Sequence, residues 1–303
     1  MLFRSVDESL TGHPLSGGSR QARRQRNGGR GRQRTREARA LIGGPHIGNV
    51  GLLNGDGNVR ICETGLLIGV GVGPGDPELL TLKAVRALES ADVVAHFAKA
   101  GNPSNARATA EKYLRPAARE LQLQYPVTTE HPTGEATYRC AIDQFFDESA
   151  AAIAEHLEAG RVVAVLSEGD PLFFGSYMHI HIRLMSRFRT EVIPGVTAMS
   201  GCWSAAGLPI VQGDDVLTVL PGTLAQEELV RRLRQNEPTV VMKLGRNLPK
   251  VRRSLIESNR LDSAIYVERG TMHNERLMPL AQKTDDSAPY FAIVLVTNYW
   301  WQS

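Results

Sequence analysis

The stretch from Leu66 to Leu82, LLIGVGVGPGDPELLTL, constrains the fold of this chain more than any other. Aliphatic and β-branched residues as far as Val72 predict a buried parallel strand, and the glycines and prolines after them predict a turn. Asp76 is a candidate helix cap and Pro77 a candidate first helical residue, with inward positions at Leu79, Leu80, Leu82, Val85 and Leu88. The stretch therefore predicts a strand, a loop and a helix, in that order.

The glycines of this loop do not match the two common phosphate-binding fingerprints. In G-x-G-x-x-G, the last position falls on Pro74 when counting starts at Gly69, and on Asp76 when it starts at Gly71. A P-loop is excluded as well, because no Gly-Lys-Ser/Thr closes the turn. From this stretch alone, a glycine-rich turn of some other α/β domain is the plain alternative.

Composition limits the class of protein. The 303 residues, 42% of them hydrophobic, allow one or two domains with a sizeable core. No apolar run approaches the roughly 18 residues that a membrane-spanning helix needs, and the N-terminus lacks the apolar core of a secretory signal. Cys62, Cys140 and Cys202 form no C-x-x-C pair, which argues against a disulfide framework or a zinc site. We therefore expect a protein of the reducing cytoplasm.

The basic residues are concentrated at the start of the chain. Residues 1–64 carry 11 arginines against 5 acidic residues, whereas the remainder carries 24 basic against 27 acidic residues. Segment 19–40 is rich in Arg and Gly and has almost nothing to bury, so a disordered extension is predicted over 1–64. It is either an RNA-binding arm or an upstream extension without a role, and the second is favoured because no aromatic residue interleaves the arginines.

From residue 65 onward, predicted strands and helices alternate. Strands are predicted at 91–97, 125–132, 161–166, 191–193, 216–220, 239–243, 263–268 and 290–297. Helices are predicted at 104–114, 138–159, 226–235 and 248–258, with one more opening from the loop at 194–201. The pattern gives an α/β domain over 65–211 and a second over 212–303. Loops 167–175 and 194–201 follow parallel strands, so we expect them at one sheet edge, where α/β folds bind ligands.

Five stretches in order, GVGPGDPELLTLKA, SEGDPLFFG, PGVTA, VVMK and VERGT, resemble the motifs of the tetrapyrrole methylases, the two-domain S-adenosylmethionine enzymes of corrin and siroheme synthesis. Further stretches, including YPVTTEHP, MKLGRNLPKVRR and PYFAIVLV, are similar to the members that methylate a meso carbon of precorrin-2. The resemblance covers about 65–299. It implies an α/β fold of two domains, each a mixed, mainly parallel sheet flanked by helices, with the active site in the cleft between them. It also suggests a homodimer.

The resemblance implies that S-adenosylmethionine lies in this cleft, held largely by backbone groups. The matching positions are Pro74, Glu168, Gly169, Asp170, Phe173, Thr197 and Ala198 in the first domain, and Met242 and Gly270 in the second. Small residues let the backbone approach adenine, and a carboxylate suits ribose hydroxyls or an ammonium group. Plainer roles are also open, since Asp170 starts turns, Thr197 caps helices and Met242 fills cores. Cys202 and Trp203 are predicted to pack.

Precorrin-2 carries acetate and propionate arms, so its site should present cations. The candidates are Lys243, Arg246, Arg269 and Arg276. Arg252 and Arg253, on a helix with Lys250, are predicted to form a solvated face, and Phe173, Phe174 or Tyr177 to line an aromatic trough. His179 and His181 do not share a helical face, so no metal is expected.

The resemblance assigns no catalytic residue. In the siroheme-forming relatives an acidic residue proposed as a base follows the second strand, and Phe97 stands at that place here, with His96 and Lys99 nearby in sequence. A reduced tetrapyrrole has an enamine-like meso carbon, so holding it roughly 3 to 3.5 Å from an activated methyl group supplies much of the rate. Three alternatives stay open: a cobalt-bearing substrate, ribose methylation of ribosomal RNA on the same fold, and a non-enzymatic sensor of S-adenosylmethionine.

Overall fold

The computed structural model describes residues 51–53, 59–61, 65–126 and 136–299. A short antiparallel hairpin, β1 (Gly51–Leu53) and β2 (Val59–Ile61), precedes two five-stranded sheets. The hairpin is the part of the predicted extension 1–64 that the structure describes. The arginine-rich segment 19–40 lies outside the described residues, so its disorder stays a prediction.

The first sheet is parallel throughout and has the strand order β5-β4-β6-β3-β7. Its strands are β3 (Leu66–Gly71), β4 (Val93–Lys99), β5 (Arg119–Tyr125), β6 (Val162–Ser167) and β7 (Arg189–Ile193). The helices of this half are α1 (Leu82–Ser90), α2 (Asn105–Ala110), α3 (Ala136–Glu158), α4 (Tyr177–Leu184) and α5 (Ala198–Ala206). Apolar side chains are buried on both faces of the sheet, one face against α3 and α4 and the other against α1 and α2. All carboxyl ends of the strands therefore meet at one edge.

The helix predicted after the first strand begins later than expected. Asp76 accepts a hydrogen bond from the Glu78 N–H at 2.8 Å, but it heads a single 3-10 turn, Pro77–Leu79. Thr81 caps α1 by accepting from the Ala84 N–H at 3.1 Å. Because the two elements are separate, Leu82 is 76% exposed and does not belong to the inward stripe predicted for it.

The second sheet has the order β11-β10-β12-β9-β8 and is mainly antiparallel. Its strands are β8 (Thr218–Pro221), β9 (Thr239–Met242), β10 (Ala264–Glu268), β11 (Arg276–Pro279) and β12 (Ala292–Val296), and its helices are α6 (Gln226–Leu233) and α7 (Leu248–Glu257). Only β8 and β9 pair in parallel among these described strands. The expectation of a mainly parallel second sheet is thus wrong. The short link 269–275 between β10 and β11 holds no crossover helix, and parallel neighbours need one.

Helix α5 joins the two sheets. Cys202 and Ala206 on its buried face pack with Val240 of β9 and Ile265 of β10, and Trp203 lies against the same cluster. The predicted packing roles of Cys202 and Trp203 are therefore confirmed. Both sheets belong to one compact unit, and none of its described helices is long and apolar enough to cross a membrane.

Arg252 corrects the prediction of a solvated face on α7. Its guanidinium donates to Asp286 Oδ1 at 2.8 Å and to the carbonyl oxygens of Leu280 and Lys283 at 2.9 and 3.0 Å. The side chain is only 17% exposed because it reaches beneath segment 280–286 and holds it. Arg253, one residue further on, is exposed as expected.

Candidate active site

Three loops that follow β3, β6 and β7 meet through their backbones at the carboxyl edge of the first sheet. The Gly73 N–H donates to the Gly169 carbonyl at 3.3 Å, and the Gly169 N–H donates to the Gly73 carbonyl at 2.8 Å. A methyl group added to Gly195 would overlap the carbonyl oxygen of Gly169 and the Cα of Gly71. Only glycine permits so close an approach, and the three loops consequently form one surface.

Asp170 links the second loop to the third. Its Oδ2 accepts from the Gly195 N–H at 3.2 Å, and its Oδ1 accepts from the Leu172 N–H at 2.9 Å. Thr197 begins α5 and accepts from the Ser200 N–H at 3.3 Å. The plainer roles of both residues, turn and cap, are therefore present. A carboxylate and a hydroxyl keep further lone pairs after such bonds, so neither role prevents contact with a ligand.

The turn after β10 reaches the first loop from the second sheet. A methyl group added to Gly201 of α5 would lie 2.7 Å from the Pro74 ring and 3.2 Å from Thr271 Cγ2. A methyl group added to Gly75 would lie 2.5 Å from the Cγ of Met272. Loop 73–75 is therefore covered by residues that directly continue the VERGT stretch.

The two cofactor positions predicted in the second half lie beside α5. A Cβ on Gly270 would be 2.7 Å from Cys202 Sγ, and burial raises the pKa of that thiol to about 12. Met242 ends β9, where its carbonyl accepts from the Gly222 N–H at 2.7 Å, and its side chain packs in the cluster shared by α5 and the second sheet. Both residues are next to the helix whose first turn holds Ala198.

Lys243 is the predicted cation that lies against the loops of the first sheet. Its Nζ is 4.6 Å from the centre of the Phe174 ring, and the Phe173 and Phe174 rings meet edge to face at 4.9 Å. Phe174 is 44% exposed. The half-buried Phe173, the exposed Phe174 and Lys243 thus lie together where the two halves of the chain face each other.

The other predicted cations have different surroundings. Arg269 donates to the carboxylate of Glu268, which is buried and also accepts from the Tyr266 hydroxyl at 3.0 Å. Arg276 is exposed and lies opposite Glu268 in the β10–β11 ladder. Arg246 is exposed in the turn before α7. Arg269 and Arg276 therefore share one acidic neighbour.

Backbone strain is concentrated at these contacts. Four of the six non-glycine residues with positive φ in the described part of the chain belong to them: Phe174 (54°), Lys243 (57°), Arg269 (52°) and Thr271 (72°). Left-handed backbone at a non-glycine residue costs of order 1–3 kcal/mol and persists where surrounding structure enforces it, as at ligand-binding sites. Strain in loops from both halves marks the crevice between them as the candidate site.

A second end of the crevice lies at the carboxyl ends of β6 and β5. Glu168 directly follows β6, and Asn105, the first residue of α2, acts on its carboxyl group. Burial raises the pKa of Glu168 above its ordinary value. Its charge also acts on Tyr125, at the end of β5, and on Tyr290, which precedes β12. Glu168 therefore faces groups from both sheets.

Tyr125 and Tyr290 sit among further polar and aromatic groups. The Tyr125 hydroxyl is hydrogen bonded to Ser176, and burial raises the pKa of Tyr125 to about 12. Phe97 stacks on the Tyr125 ring with centroids 5.8 Å apart. The Nζ of Lys99 lies 6.0 Å from the centre of the Tyr290 ring. The place where siroheme-forming relatives carry an acid is thus an aromatic wall.

Two residues named from the sequence do not line this crevice. Tyr177 is fully buried, and its ring packs against Gly69 inside the sheet, so the prediction that it lines a trough is wrong. His96 is 5% exposed and lies 3.5 Å from Glu120 on the neighbouring strand. Burial lowers the pKa of His96. Its ring is buried beside that carboxylate on the neighbouring strand.

The histidines of α4 have separate partners. His179 stacks on Phe146 at 4.1 Å, and His181 lies 3.2 Å from the Tyr177 hydroxyl. Within the described ranges, no group of three or more His, Cys, Asp or Glu side chains is arranged to hold a metal. The expectation of a metal-free site stays a prediction.

The residues at the loops fit a ligand of the S-adenosylmethionine type. Four side-chain atoms of the described residues are buried without a hydrogen-bond partner, and two of them, Ser167 Oγ and Thr271 Oγ1, belong to residues beside these loops. Ser167 ends β6, and Thr271 contacts α5. Buried polar groups normally have partners, so a ligand with hydroxyl and amino groups would complete the site, while the glycine backbones give it room.

Sequence reasoning missed Tyr125, Tyr290 and Met272. Met272 directly follows the VERGT stretch, and that position was the available signal. The two tyrosines begin the stretches YPVTTEHP and PYFAIVLV, which carry part of the resemblance. Their shared neighbour Glu168 lies far from both in sequence, so only the folded chain reveals the group.

Comparisons with known proteins agree with this geometry. Residues 66–283 match the family model described as Tetrapyrrole (Corrin/Porphyrin) Methylases. The chain is 64% identical over 235 residues to a precorrin-2 C(20)-methyltransferase from Sinorhizobium sp, covering 78% of this chain and 96% of the relative. A cobalt-precorrin-2 C(20)-methyltransferase from Salmonella typhimurium is 26% identical over 239 residues, covering 78% of this chain and 98% of the relative.

A solved structure gives the same result for the fold. Uroporphyrin-III C-methyltransferase from Thermus thermophilus, complexed with S-adenosylhomocysteine, superposes with a TM-score of 0.55 at 25% identity. The match covers 76% of this chain and 97% of that chain. The resemblance inferred from five short stretches is confirmed by a match that extends through both sheets, and the chain belongs to the tetrapyrrole (corrin/porphyrin) methylases.

Proposed function

We propose that this chain transfers a methyl group from S-adenosylmethionine to C-20 of precorrin-2, giving precorrin-3 and S-adenosylhomocysteine in cobalamin biosynthesis. The observation that carries the proposal is the meeting, at one crevice, of residues from all five motif stretches. The relative from Sinorhizobium sp, matched over 96% of its length, supports the choice of substrate.

The donor side is formed by the loops of the first sheet and the residues beside α5. Its members are Pro74, Gly169, Asp170, Phe173, Thr197, Ala198, Met242 and Gly270, together with the backbone of Glu168. Backbone groups at the glycines bind the polar edges of adenine and ribose, and Pro74 and Met242 supply apolar walls. When bound, S-adenosylmethionine supplies a methyl group activated by the sulfonium charge.

The acceptor side uses the second half of the chain. Lys243, Arg246, Arg269 and Arg276 bind the acetate and propionate arms of precorrin-2, since charge-assisted hydrogen bonds to carboxylates are the strong ones. Phe174, beside Lys243, offers an exposed ring to the macrocycle. Fixing the macrocycle from its rim positions one meso carbon against the donor, and orientation of this kind lowers the barrier.

The proposal includes a homodimer in the reducing cytoplasm. Three thiols without a C-x-x-C pair support the compartment, and the family resemblance supports the dimer. Light scattering of the purified full chain at several concentrations measures the dimer directly, and a mass equal to one chain at all of them would remove it from the proposal.

The test is methyl transfer by the purified full chain. With precorrin-2 and S-adenosylmethionine carrying a labelled methyl group, we expect one methyl addition by mass and a labelled carbon at C-20 by NMR. Gly195→Val, which obstructs the loops, should abolish turnover, whereas Arg231→Ala on the outer surface of α6 should not change it. Absence of methylated product from the unaltered chain contradicts the proposal.

Two alternatives appear as outcomes of the same assay. Faster turnover of cobalt-precorrin-2 than of the metal-free substrate would indicate the activity named for the Salmonella relative. Methyl transfer to ribosomal RNA, with none to either tetrapyrrole, would indicate the RNA enzyme. Salt-sensitive RNA binding lost on deletion of 1–64 would show only that this extension is a binding arm.

A further inference from the structure

The proposed reaction leaves a proton that the donor side does not accept. The π electron pair at C-20 forms the new bond to the methyl carbon, the carbon–sulfur bond breaks, and its pair stays on sulfur. C-20 then carries both the methyl group and its original hydrogen, and the macrocycle carries a positive charge. Restoring the conjugated system requires the C–H pair to return to the ring and the proton to leave for a base.

Glu168 is a carboxylate at the edge where the loops of the first sheet meet. Glu168 follows β6 directly, while Gly169 turns back to pair with Gly73 on the donor side. Glu168 lies at the same sheet edge as Tyr125, which ends β5 two strands away in the order β5-β4-β6. The charge of its carboxyl group acts on Tyr125 and Tyr290, whereas its neighbour Gly169 pairs with Gly73.

We propose that the Glu168 carboxylate accepts the proton lost from C-20 after methyl transfer, in a site bounded by Tyr125 of the first sheet and Tyr290 of the second. This inference rests on the proposed function. Asn105 lies close enough to act on the carboxyl group, and the Tyr125 hydroxyl is hydrogen bonded to Ser176. Phe97 contributes an apolar wall beside Tyr125.

The surroundings of Glu168 favour the protonated form of its carboxyl group. Burial raises the pKa of Glu168 above its ordinary value, and a raised pKa makes the carboxylate a stronger proton acceptor. The titratable groups that face this end of the crevice are Tyr125, Tyr138, Tyr290 and Lys99. Burial also raises the pKa of Tyr125 to about 12, so its hydroxyl stays neutral while Glu168 titrates.

The test compares Glu168→Gln and Glu168→Asp with Glu158→Gln, an exposed carboxylate on the outer side of α3. We expect Glu168→Gln to lower kcat by about 10²- to 10⁴-fold, the usual contribution of a general base. The ascending limb of the pH profile should disappear in Glu168→Gln and be restored, at a lower rate, in Glu168→Asp. Glu158→Gln should keep the rate and the profile.

Two further measurements separate proton acceptance from other roles. With precorrin-2 deuterated at C-20, Glu168→Gln should show a larger isotope effect than the unaltered chain, because proton loss becomes rate-limiting. Calorimetric affinity for S-adenosylhomocysteine should change less than twofold. A tenfold loss of that affinity with an unchanged pH profile would make Glu168 a donor contact and overturn the inference, as would full activity of Glu168→Gln. In either case the unaltered chain still makes precorrin-3, so the proposed function stands or fails separately.

Discussion

The ammonium group of Lys243 lies 4.6 Å from the centre of the Phe174 ring, although the two residues belong to different halves of the chain. Both have left-handed backbone, with φ of 57° and 54°. Neither residue is glycine, so each position costs of order 1–3 kcal/mol and must be maintained by its surroundings. This pair joins the loop after β6 to the end of β9.

Lys243→Ala tests whether this lysine binds the carboxylates of the tetrapyrrole. We expect the KM for precorrin-2 to rise about tenfold, since losing one charge-assisted hydrogen bond costs about 1.5 kcal/mol or more. The free energy of unfolding should fall by less than about 1 kcal/mol, the value of an exposed cation–π contact. Lys112→Ala is the control, because Lys112 makes the same contact with Tyr113 at 5.0 Å elsewhere on the surface. Equal KM values for the two variants would remove Lys243 from the acceptor side.

Gly195→Ala tests the close approach of the three loops. Its methyl group would overlap the Gly169 carbonyl, so we expect a loss of about 3 kcal/mol in the free energy of unfolding, typical of overpacking, and a large loss of S-adenosylhomocysteine affinity. Gly101→Ala is the control. A Cβ on Gly101 would have no other atom within 4 Å, but φ at this position is 74°. A left-handed backbone at alanine costs about 1–2 kcal/mol. Denaturant unfolding and calorimetry measure both. Unchanged affinity in Gly195→Ala would show that the loops do not form the donor site.

Asp170→Ala and Asp170→Asn test the link between the second and third loops. Alanine leaves the N–H groups of Gly195 and Leu172 without their acceptor, which costs about 1–3 kcal/mol for each group that stays buried. Asparagine keeps one acceptor oxygen and can satisfy one of these two N–H groups. Asp170→Asn should therefore lose about half as much stability as Asp170→Ala. Urea unfolding of both variants gives the comparison. Equal stability of the two variants would mean that one of these hydrogen bonds contributes nothing.

Arg252→Met tests the role found for this residue beneath segment 280–286. We expect a loss of about 2 kcal/mol, because the carbonyl oxygens of Leu280 and Lys283 lose a charged donor. Hydrogen exchange should quicken in 280–286. Arg253→Met, on the next position of the same helix, should stay within about 0.5 kcal/mol of the unaltered chain. Similar losses in the two variants would restore the prediction of a solvated face.

Glu168→Gln also gives a prediction about stability and pH. Burial raises the pKa of Glu168 in the folded chain above its unfolded value. Its contribution to stability is therefore fully present below the unfolded pKa and is lost as the pH rises through the folded pKa. Glutamine stays neutral, so the melting temperature of Glu168→Gln should gain on that of the unaltered chain as the pH rises. A constant or reversed difference would contradict the burial of this carboxyl group.

Local patterns predicted the first sheet and its loops well. The buried strands β3 and β6 are short aliphatic runs that end in glycine turns, and loops after parallel strands must meet at one edge. Contact between Gly73 and Gly169, and between Asp170 and Gly195, follows from that rule. The helix cap that the sequence left open as the plainer role of Thr197 is present, because the hydroxyl stands directly before the helical run.

Elements stabilised by distant partners were predicted poorly. Strand β5 was not predicted, because its sequence RELQLQY is polar and lies at a sheet edge. The strand predicted at 125–132 overlaps β5 only at Tyr125, and residues 127–132 lie outside the described residues. Strand β11 was not predicted, because it has only four residues and depends on pairing with β10. Tyr177 and Arg252 were assigned to the wrong surroundings. Tyr177 is buried against Gly69, and Arg252 lies beneath segment 280–286; both contacts depend on the whole fold.

Helix α5 follows the first sheet in sequence but packs against strands of the second, and this contact affects how the two halves of the chain associate. Cys202 and Ala206 precede the segment 211–216 in sequence, while Val240 and Ile265 follow it, and all four are buried in one cluster. Cutting the chain within that segment would leave each fragment with an apolar face that only the other fragment covers. A nicked protein should therefore stay associated, and neither fragment made alone should be soluble.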